Sequence, residues 1–223
     1  RTGVYERVIS ILASIEDAEG FVARSAVQAR GLLRVSAPTS FGRMHIAPHL
    51  KRFLGAEPLV TVELTLSDSL VDLVGEGFDL AIRIAELPDS SLVAKKLAPN
   101  TRLLCAVPAS LGDLAHHRLI VHNTDQWRLE GPEGPVTVTV KGTLRTNSSE
   151  VVREALLSGL GIALRSTWDV GPELKSGASV QVLPRYSGGR RVAVHAVYPS
   201  GRHLEQSVRV FVEFLVALYA PTP

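Results

Sequence analysis

The first third of the chain alternates between short apolar strands and short helical segments, and this alternation limits the possible fold more than any other feature. Leu32 to Ala37 is an apolar strand, Val60 to Leu66 places apolar side chains at every second position, and Asp79 to Ile84 is a third strand. Helical segments are predicted between the strands, at residues 41–53 and 70–74. Such alternation is typical of a parallel sheet covered by helices. We therefore predict an α/β fold.

Polar residues that can cap helices directly follow the first two strands. Thr39 or Ser40 can cap a helix that begins near Phe41. Pro48 marks a kink or a restart within that helix. The run Ser67–Asp68–Ser69 can cap the second helix. Each predicted helix thus begins where a strand ends, as a parallel sheet requires.

The rest of the chain carries a smaller α/β set and then returns to the first region. A well-marked helix begins after Asn147 or Ser148. Glu150 lies in its first turn and Gly159 ends it. The last helix, Leu204 to Tyr219, is amphipathic. The predicted strands are Leu92–Leu97, Arg102–Val107, Leu119–His122, a hairpin over Trp127–Val140, Leu144–Thr146, Ile162–Leu164, Val180–Leu183 and Val192–Tyr198.

Residues 4–29 are predicted to form one long helix ahead of these regions. Its apolar and small residues recur every seven positions, in the series Val4, Ile11, Ala18 and Ser25. Such a heptad seam lets two helices pack along their length, here over roughly 40 Å. The small residues weaken the seam. Both a dimer contact and a helix that lies on its own domain remain open interpretations.

The charge of the sequence gives no sign of a polyanionic partner. Lysine and arginine number 24 against 22 aspartate and glutamate residues, which gives a net charge of +2 at pH 7. A nucleic-acid-binding surface normally shows a basic cluster or stripe. The densest basic groups here, Arg43–Arg52 and Arg185–Arg191, are interpreted as solvated faces. We therefore expect no direct contact with nucleic acid from these regions.

Residues suited to catalysis or metal binding are scarce. Cys105, the only cysteine, lies in an apolar run and is predicted to be a buried, inert thiol. A single cysteine excludes an internal disulfide and suits a reducing cytoplasm. No apolar run is long enough to cross a membrane. Nucleophile-elbow, phosphate-loop and zinc-protease motifs are absent, and His116–His117 has no partner at metal-ligand spacing. We expect neither an enzyme nor a cofactor or metal.

Five segments, in order and spacing, resemble the effector-binding domain of LysR-type bacterial transcriptional regulators. Together they extend over nearly the whole chain, and Thr2–Gly3 followed by the long helix resembles the linker helix of the family. The segments are Gly31–Arg43, Leu66–Ile84, Asp89–Val93, Ser158–Ala163 and Val197–His203.

The resemblance implies the periplasmic-binding-protein type II fold, in which two Rossmann-like lobes, joined by two crossover strands, bind an effector between them. The crossovers are expected near Ala106 and near Val194–Ala196. The resemblance also implies a homodimer or homotetramer that contacts DNA only through a winged helix-turn-helix, which this sequence lacks. The expected parts are a linker and dimerisation helix at residues 1–30, lobe I at residues 31–106 with 196–223, and lobe II at residues 107–195.

Two predicted helix starts should face the cleft between the lobes. In open α/β sheets, ligands bind beyond the carboxyl ends of the strands, where helix N-termini point. Thr39 and Ser40 lie at one such start, and Asn147 and Ser148 lie at the other. Their backbone N–H groups and polar side chains favour an anionic group such as a carboxylate. Helix capping without a ligand is the alternative role.

Further candidate contacts lie at the ends of strands. Ser67 and Asp68 follow the second strand and could line the cleft or cap the next helix. Arg83, at the end of the third strand, could bind an acidic effector or form an ion pair with a nearby carboxylate. Tyr198 leaves a crossing strand, and His122 ends a strand of lobe II. For each of them, packing and hydrogen bonding within the domain is a more common role than contact with a ligand. The carboxylates within reach of Arg83 are Asp79, Glu86 and Asp89.

The predicted function is that of an effector-sensing domain. It would bind a small anionic organic or aromatic metabolite between its lobes and so control transcription by the full-length regulator. The alternative is a periplasmic-type solute-binding protein of a transporter. Such a protein would share the fold but would be secreted, monomeric and free of the N-terminal helix.

Overall fold

The structure, a computed structural model, describes most of the chain after the predicted N-terminal helix. That helix lies outside the described residues except at its end, where residues 28–30 have no regular secondary structure. Ala29 is buried against the core of the first sheet. The sequence also predicts a helical turn at residues 108–111, which lies outside the described residues. The described residues are 28–69, 71–87, 91–107, 117–189, 191–200 and 205–220.

The first sheet has five strands and, with its helices, is called lobe I. Its strands are β1 (Gly31–Ala37), β2 (Val60–Leu66), β3 (Leu80–Ala85), β4 (Leu92–Pro99) and β13 (Ala193–Pro199). Their order across the sheet is β2-β1-β3-β13-β4. Strand β1 runs parallel to β2 and β3, while β13 runs antiparallel to β3 and β4. The parallel core of three strands is the one that the sequence predicts.

The second sheet has eight strands and, with its helices, is called lobe II. Its order is β8-β7-β12-β5-β10-β6-β9, with β11 also paired to β5. The hairpin of β7 and β8 turns between Gly131 and Gly134, as predicted. The strands are β5 (Arg102–Ala106), β6 (Leu119–His122), β7 (Gln126–Gly131), β8 (Gly134–Thr139), β9 (Leu144–Thr146), β10 (Ile162–Ser166), β11 (Val180–Gln181) and β12 (Ser187–Gly188).

The chain crosses twice between the lobes. Strands β4 and β5 belong to different sheets, and so do β12 and β13. The crossings therefore lie between the end of β4 and the start of β5, and between the end of β12 and the start of β13. Both lie earlier in the chain than the predicted crossings, because Ala106 is inside β5 and Val194–Ala196 is inside β13.

Within the described residues, the predicted helices are confirmed except the one after β2, and a helix at Thr167–Ser176 was not predicted. The first helical stretch becomes a short 3₁₀-helix, Ala47–His49, around Pro48, where a kink or restart was predicted. The helix predicted at residues 70–74 is wrong: residues 73–77 form a turn. There the Asp72 carboxylate accepts the Gly75 N–H group at 3.1 Å and so competes with helical bonding. The helical segments are α1 (Thr39–Phe41), a π-helix (Gly42–Ile46), a 3₁₀-helix (Ala47–His49), α2 (Leu50–Ala56), α3 (Ser149–Leu157), α4 (Thr167–Ser176) and α5 (Gln206–Tyr219).

Each lobe has its own apolar core. In lobe I the rings of Phe53 and Phe211 meet edge to face, 4.8 Å apart, and join α2 to α5. In lobe II separate clusters cover the two faces of the sheet, one around Trp127 and one around Leu156. Burying one such side chain contributes about 1.5–3 kcal/mol. None of the helices in the described part of the chain has both the length and the apolar character needed to span a bilayer.

Candidate functional site

A cavity of about 300 Å³ lies between the two lobes, within the size range of small-molecule sites. The ends of β1, β2 and β3 form its wall on lobe I, and the starts of α3 and α4 lie on lobe II. A second cavity, of about 450 Å³, adjoins the first and shares Arg102 and His122 with it. Most of the lining residues are of polar type, and they include three arginines, Arg83, Arg102 and Arg165.

Several residues predicted as effector contacts do line this cavity. Ser40, Ser67, Asp68 and Arg83 all contribute to the lobe I wall. Thr39 lies next to the wall, and its backbone N–H group donates to the Asp68 carboxylate. The ends of the parallel strands thus bring together residues that are distant in the sequence.

Other predicted contacts lie elsewhere. Ser148 caps α3, and its Oγ accepts the Val151 N–H group at 3.4 Å. Asn147 lines a small neighbouring pocket, and its carbonyl oxygen is 3.2 Å from His122 Nε2. Tyr198 packs against the lobe I core and lines a separate groove beside α5. None of these three residues lines the interlobe cavity.

Asp68 joins the two walls of the cleft. Its Oδ1 accepts the Thr39 N–H group of lobe I at 2.8 Å, and its Oδ2 accepts the Ser149 N–H group of lobe II at 2.7 Å. The side chain is only 7% exposed. The prediction that Thr39 or Ser40 caps the first helix is wrong, since Pro38 is the N-cap and has no side-chain bond. Asp68, from the end of the neighbouring strand, supplies the acceptor instead.

Glu150 makes a second bridge between the lobes. Ser40 Oγ donates to Glu150 Oε1 at 3.0 Å, and Arg43 donates to both carboxylate oxygens, at 3.0 and 3.3 Å. Burial by itself would raise the pKa of Glu150, but the hydrogen bonds from Arg43 and Ser40 outweigh it and hold the pKa below its usual value. The first turn of α3 is thus tied to the first helical stretch of lobe I.

Trp168 makes a third bridge, from the start of α4. Its ring meets Phe41 edge to face, with 5.2 Å between ring centroids. It also meets the His45 ring edge to face at 5.4 Å, and its carbonyl oxygen is 3.2 Å from His45 Nε2. The three bridges lie along one side of the cleft and hold the lobes together there.

Arg83 and Arg102 carry positive charge into the cavity without a carboxylate partner among the described residues. Arg83 donates to the Val71 carbonyl oxygen at 3.2 Å. Its predicted partners are engaged elsewhere: Asp79 accepts the backbone N–H group of Arg34, and Glu86 pairs with Arg191, while Asp89 lies outside the described residues.

Arg102 opens β5 and is the more isolated of the two cations. Its Nε is buried, and no hydrogen-bond partner for it occurs in the described part of the chain. Burial lowers the pKa of Arg102, and burial also lowers that of Arg83 against an opposing effect of Glu76. Arginine nevertheless keeps its charge in proteins. The cleft therefore presents cations that a bound anion could neutralise.

Arg102, Ser149, Arg165 and Trp168 were not predicted from the sequence as site residues. Ser149 was missed by one position, because the helix start was read at Asn147 or Ser148. Arg165 and Asp169 are spaced four apart, a pattern typical of a paired charge at a helix start, and this could have marked the position. No sequence pattern near Arg102 marks it as a site residue, because its position in the cleft depends on the crossing between the lobes that lies just before it.

Metal and thiol chemistry find no support in the residues that the structure describes. No cluster of histidine, cysteine and acidic side chains there could hold a metal ion. Cys105 is buried, as predicted. Burial raises the pKa of its thiol to about 11, which disfavours the reactive thiolate.

Comparison with known proteins agrees with the resemblance found in the sequence. The family model for the LysR substrate binding domain matches residues 26–220. The chain is 40% identical over 205 residues to the HTH-type transcriptional regulator DmlR of Escherichia coli K12. The aligned region covers 86% of this chain and 66% of DmlR. It is 36% identical over 228 residues to the HTH-type transcriptional activator TtdR of the same strain, and the aligned region covers 96% of this chain and 73% of TtdR. The chain thus spans only part of these relatives.

A solved structure shows the same fold. The regulatory domain of AphB in Vibrio vulnificus superposes with a TM-score of 0.67 at 27% identity, covering 86% of this chain and all of that one. The predicted two-lobed α/β fold, of the periplasmic-binding-protein type II kind, is confirmed, and no comparison favours the transporter alternative. The chain belongs to the LysR substrate binding domain family and is an effector-binding regulatory domain.

Proposed function

We propose that this domain binds a small organic anion between its lobes, with Arg83 and Arg102 as the cationic contacts. The observation that carries the proposal is the partly buried Arg102, which lines both cavities and whose buried Nε has no hydrogen-bond partner among the described residues. A buried charge is costly unless it is paired. Each charge-assisted hydrogen bond contributes about 1.5–3 kcal/mol, so a few of them reach micromolar affinity, about −8 kcal/mol.

The rest of the lining favours a polar acid over an extended aromatic one. Ser40, Ser67 and Ser69 bring hydroxyl groups to the lobe I wall, and Thr124 brings another from lobe II. Trp168 offers one apolar surface. The ligand is bound and released unchanged, because the described residues of the cleft offer no nucleophile paired with a base.

In the full-length regulator, the bound anion would shift the balance between lobe arrangements. A ligand can do this only by its difference in affinity for the two arrangements. Residues 1–30 would link the domain to a winged helix-turn-helix, the one part that contacts DNA. In a cytoplasmic homodimer or homotetramer, altered lobe geometry would re-space the DNA-binding heads, and half-site spacing is sensitive to such changes.

Thermal shift measurements test the proposal. Propionate, succinate and benzoate are compared with their neutral amides at constant ionic strength. We expect at least one carboxylate, and none of the amides, to raise the melting temperature in a saturable manner. Arg102→Gln and Arg83→Gln should each weaken that effect. Lys141→Gln, which removes one exposed positive charge outside the cavity, should leave it unchanged.

Two results would contradict the proposal. One is stabilisation by the amides equal to that by the acids, which would show that charge is irrelevant. The other is an unchanged carboxylate affinity in both arginine variants, which would place the ligand elsewhere.

A further inference from the structure

We infer that Asp68 acts as a built-in anion that holds the two lobes together and keeps the acid group of the ligand away from the backbone N–H groups of Thr39 and Ser149. The inference deepens the proposed function, on which it rests for the presence of an anionic ligand. It assigns the acid group of that ligand to the side of the cleft where Arg83 and Arg102 lie.

The geometry at Asp68 is that of a bound carboxylate. Each oxygen accepts one backbone N–H group, at 2.8 Å from Thr39 and 2.7 Å from Ser149. These lengths are typical of bonds to a charged acceptor. Thr39 belongs to lobe I and Ser149 to lobe II, so a single side chain satisfies donors on both walls of the cleft.

Asp68 leaves little room for a second anion at these donors. Its side chain is 7% exposed and the cavity begins beside it. Two carboxylates that share one site repel each other strongly. The acid group of the ligand is therefore directed to Arg83 and Arg102, and a hydroxyl or other donor group of the ligand is the part that can face Asp68.

The same contact couples ligand binding to lobe position. Asp68 follows β2 of lobe I, and its bond to Ser149 reaches across to the first residue of α3. Thr39 and Ser149 are 29 and 81 positions from Asp68 in the chain, so only the folded arrangement brings them together. Loss of the carboxylate leaves donors on both walls without their acceptor and removes one of the interlobe bridges described above.

Amide NMR titration with formate tests where an external carboxylate binds. In the unmodified protein, formate should leave the Thr39 and Ser149 amide signals in place, even if signals near Arg83 and Arg102 move. In Asp68→Ala, both signals should shift saturably as formate enters the vacated position. Movement of these two signals in the unmodified protein, or none in Asp68→Ala, would overturn the inference. If formate moves no signals near Arg83 and Arg102 in the unmodified protein, that result contradicts the proposed function and not the role given to Asp68.

Distance measurement by pulsed electron resonance tests the coupling of the lobes. Spin labels are placed on exposed positions of the two lobes with Lys51→Cys on α2 and Lys175→Cys on α4. Cys105 does not compete, because its thiol is buried and its pKa is raised to about 11. Asp68→Ala should lengthen or broaden the interlobe distance distribution, and formate should restore it.

Asp79→Ala is the matched control. Its carboxylate accepts the Arg34 N–H group at 2.8 Å, but both residues belong to lobe I. The control should keep the original interlobe distance, and formate should not affect that distance. A formate response of equal size in the control would indicate a general salt effect and reject the inference.

Asp68→Asn covers the case in which the alanine variant does not fold. It keeps the size of the side chain but turns one acceptor oxygen into a donor. Whichever amide then faces the side-chain NH2 group, that of Thr39 or that of Ser149, should exchange with solvent at least about ten-fold faster than in the unmodified protein, since its bond is lost. Unchanged exchange and an unchanged interlobe distance would reject the role given to Asp68.

Discussion

Arg165 and Asp169 form a buried ion pair at the junction of β10 and α4. The Arg165 Nε donates to Asp169 Oδ2 at 2.7 Å, and its Nη2 donates to Ser149 Oγ at 3.0 Å. The two side chains are 5% and 0% exposed. Asp169 thus neutralises the positive charge of Arg165, whereas Arg83 and Arg102 form no such ion pair among the described residues. The bond from Arg165 also holds Ser149 in place at the cavity wall.

Asp169→Asn should be strongly destabilising, because it leaves Arg165 buried without its counter-charge. Removing one partner of a buried ion pair typically costs about 3–5 kcal/mol. The free energy of unfolding, measured by urea denaturation, should fall by that order. Asp125→Asn is the control: it breaks the exposed pair with Arg145, at 3.2 Å, and should cost less than about 1 kcal/mol. Equal small losses in the two variants would show that the buried pair is not structural.

Glu150→Gln should change how stability depends on acid pH. The pKa of Glu150 is lowered in the folded protein from its ordinary value of 4.5. Its contribution to stability is therefore fully present above about pH 4.5 and is lost as the pH falls through the folded pKa. The variant should lack this part of the acid-induced loss in thermal melts taken below about pH 4.5. Identical pH profiles for both proteins would mean that the bonds from Ser40 and Arg43 do not stabilise the fold.

Trp168 should report ligand binding by its fluorescence. It lines the cavity of about 300 Å³ and contacts Phe41 across the cleft, whereas Trp127, the other tryptophan, packs in the lobe II core and lines only the adjoining cavity. A carboxylate that binds in the cleft should change the emission of the unmodified protein and of Trp127→Phe. Trp168→Phe should lose that change while still binding in calorimetry. A response that follows Trp127 instead would place the ligand away from this wall.

Gly188→Ala should weaken anion binding by displacing Arg102. A Cβ at position 188 would lie 2.7 Å from Arg102 Cβ and 3.0 Å from its Nε, so the arginine must shift. Loss of one charge-assisted bond, about 1.5–3 kcal/mol, corresponds to a roughly ten-fold or larger fall in affinity for the carboxylate found by thermal shift. Gly55→Ala, on α2 and outside both cavities, adds the same methyl group with nothing within 4 Å and should bind normally. Calorimetric titration of both variants decides between these outcomes.

The sheet of lobe I could be predicted because its signals are local. Alternating apolar residues in β2 and apolar runs in β1 and β3 need no knowledge of the rest of the chain. The last helix could also be predicted, since Phe211 and Leu215 repeat with helical spacing and are buried. The turn after β2 could not, because the capping run Ser67–Ser69 is the usual sign of a helix. In the structure, Asp68 of that run bonds to other segments.

The site was predictable only where strand ends define it. Arg83 and Asp68 lie at the ends of parallel strands, so the general rule for open sheets identifies them. Arg102 and Trp168 reach the cavity from lobe II, and their placement depends on where the chain crosses and how the lobes face each other. Tyr198 illustrates the same difficulty: it leaves a strand that connects to the crossing, yet its side chain packs on lobe I.

The two crossings make lobe II one continuous stretch of chain and leave lobe I in two pieces. During synthesis, all strands of the second sheet, from β5 to β12, emerge before β13 and α5 do. The lobe I core needs Phe211 and Leu215 from α5, so it stays incomplete until α5 is made. Lobe II therefore has the chance to fold first, and the ligand cleft forms only once α5 is present.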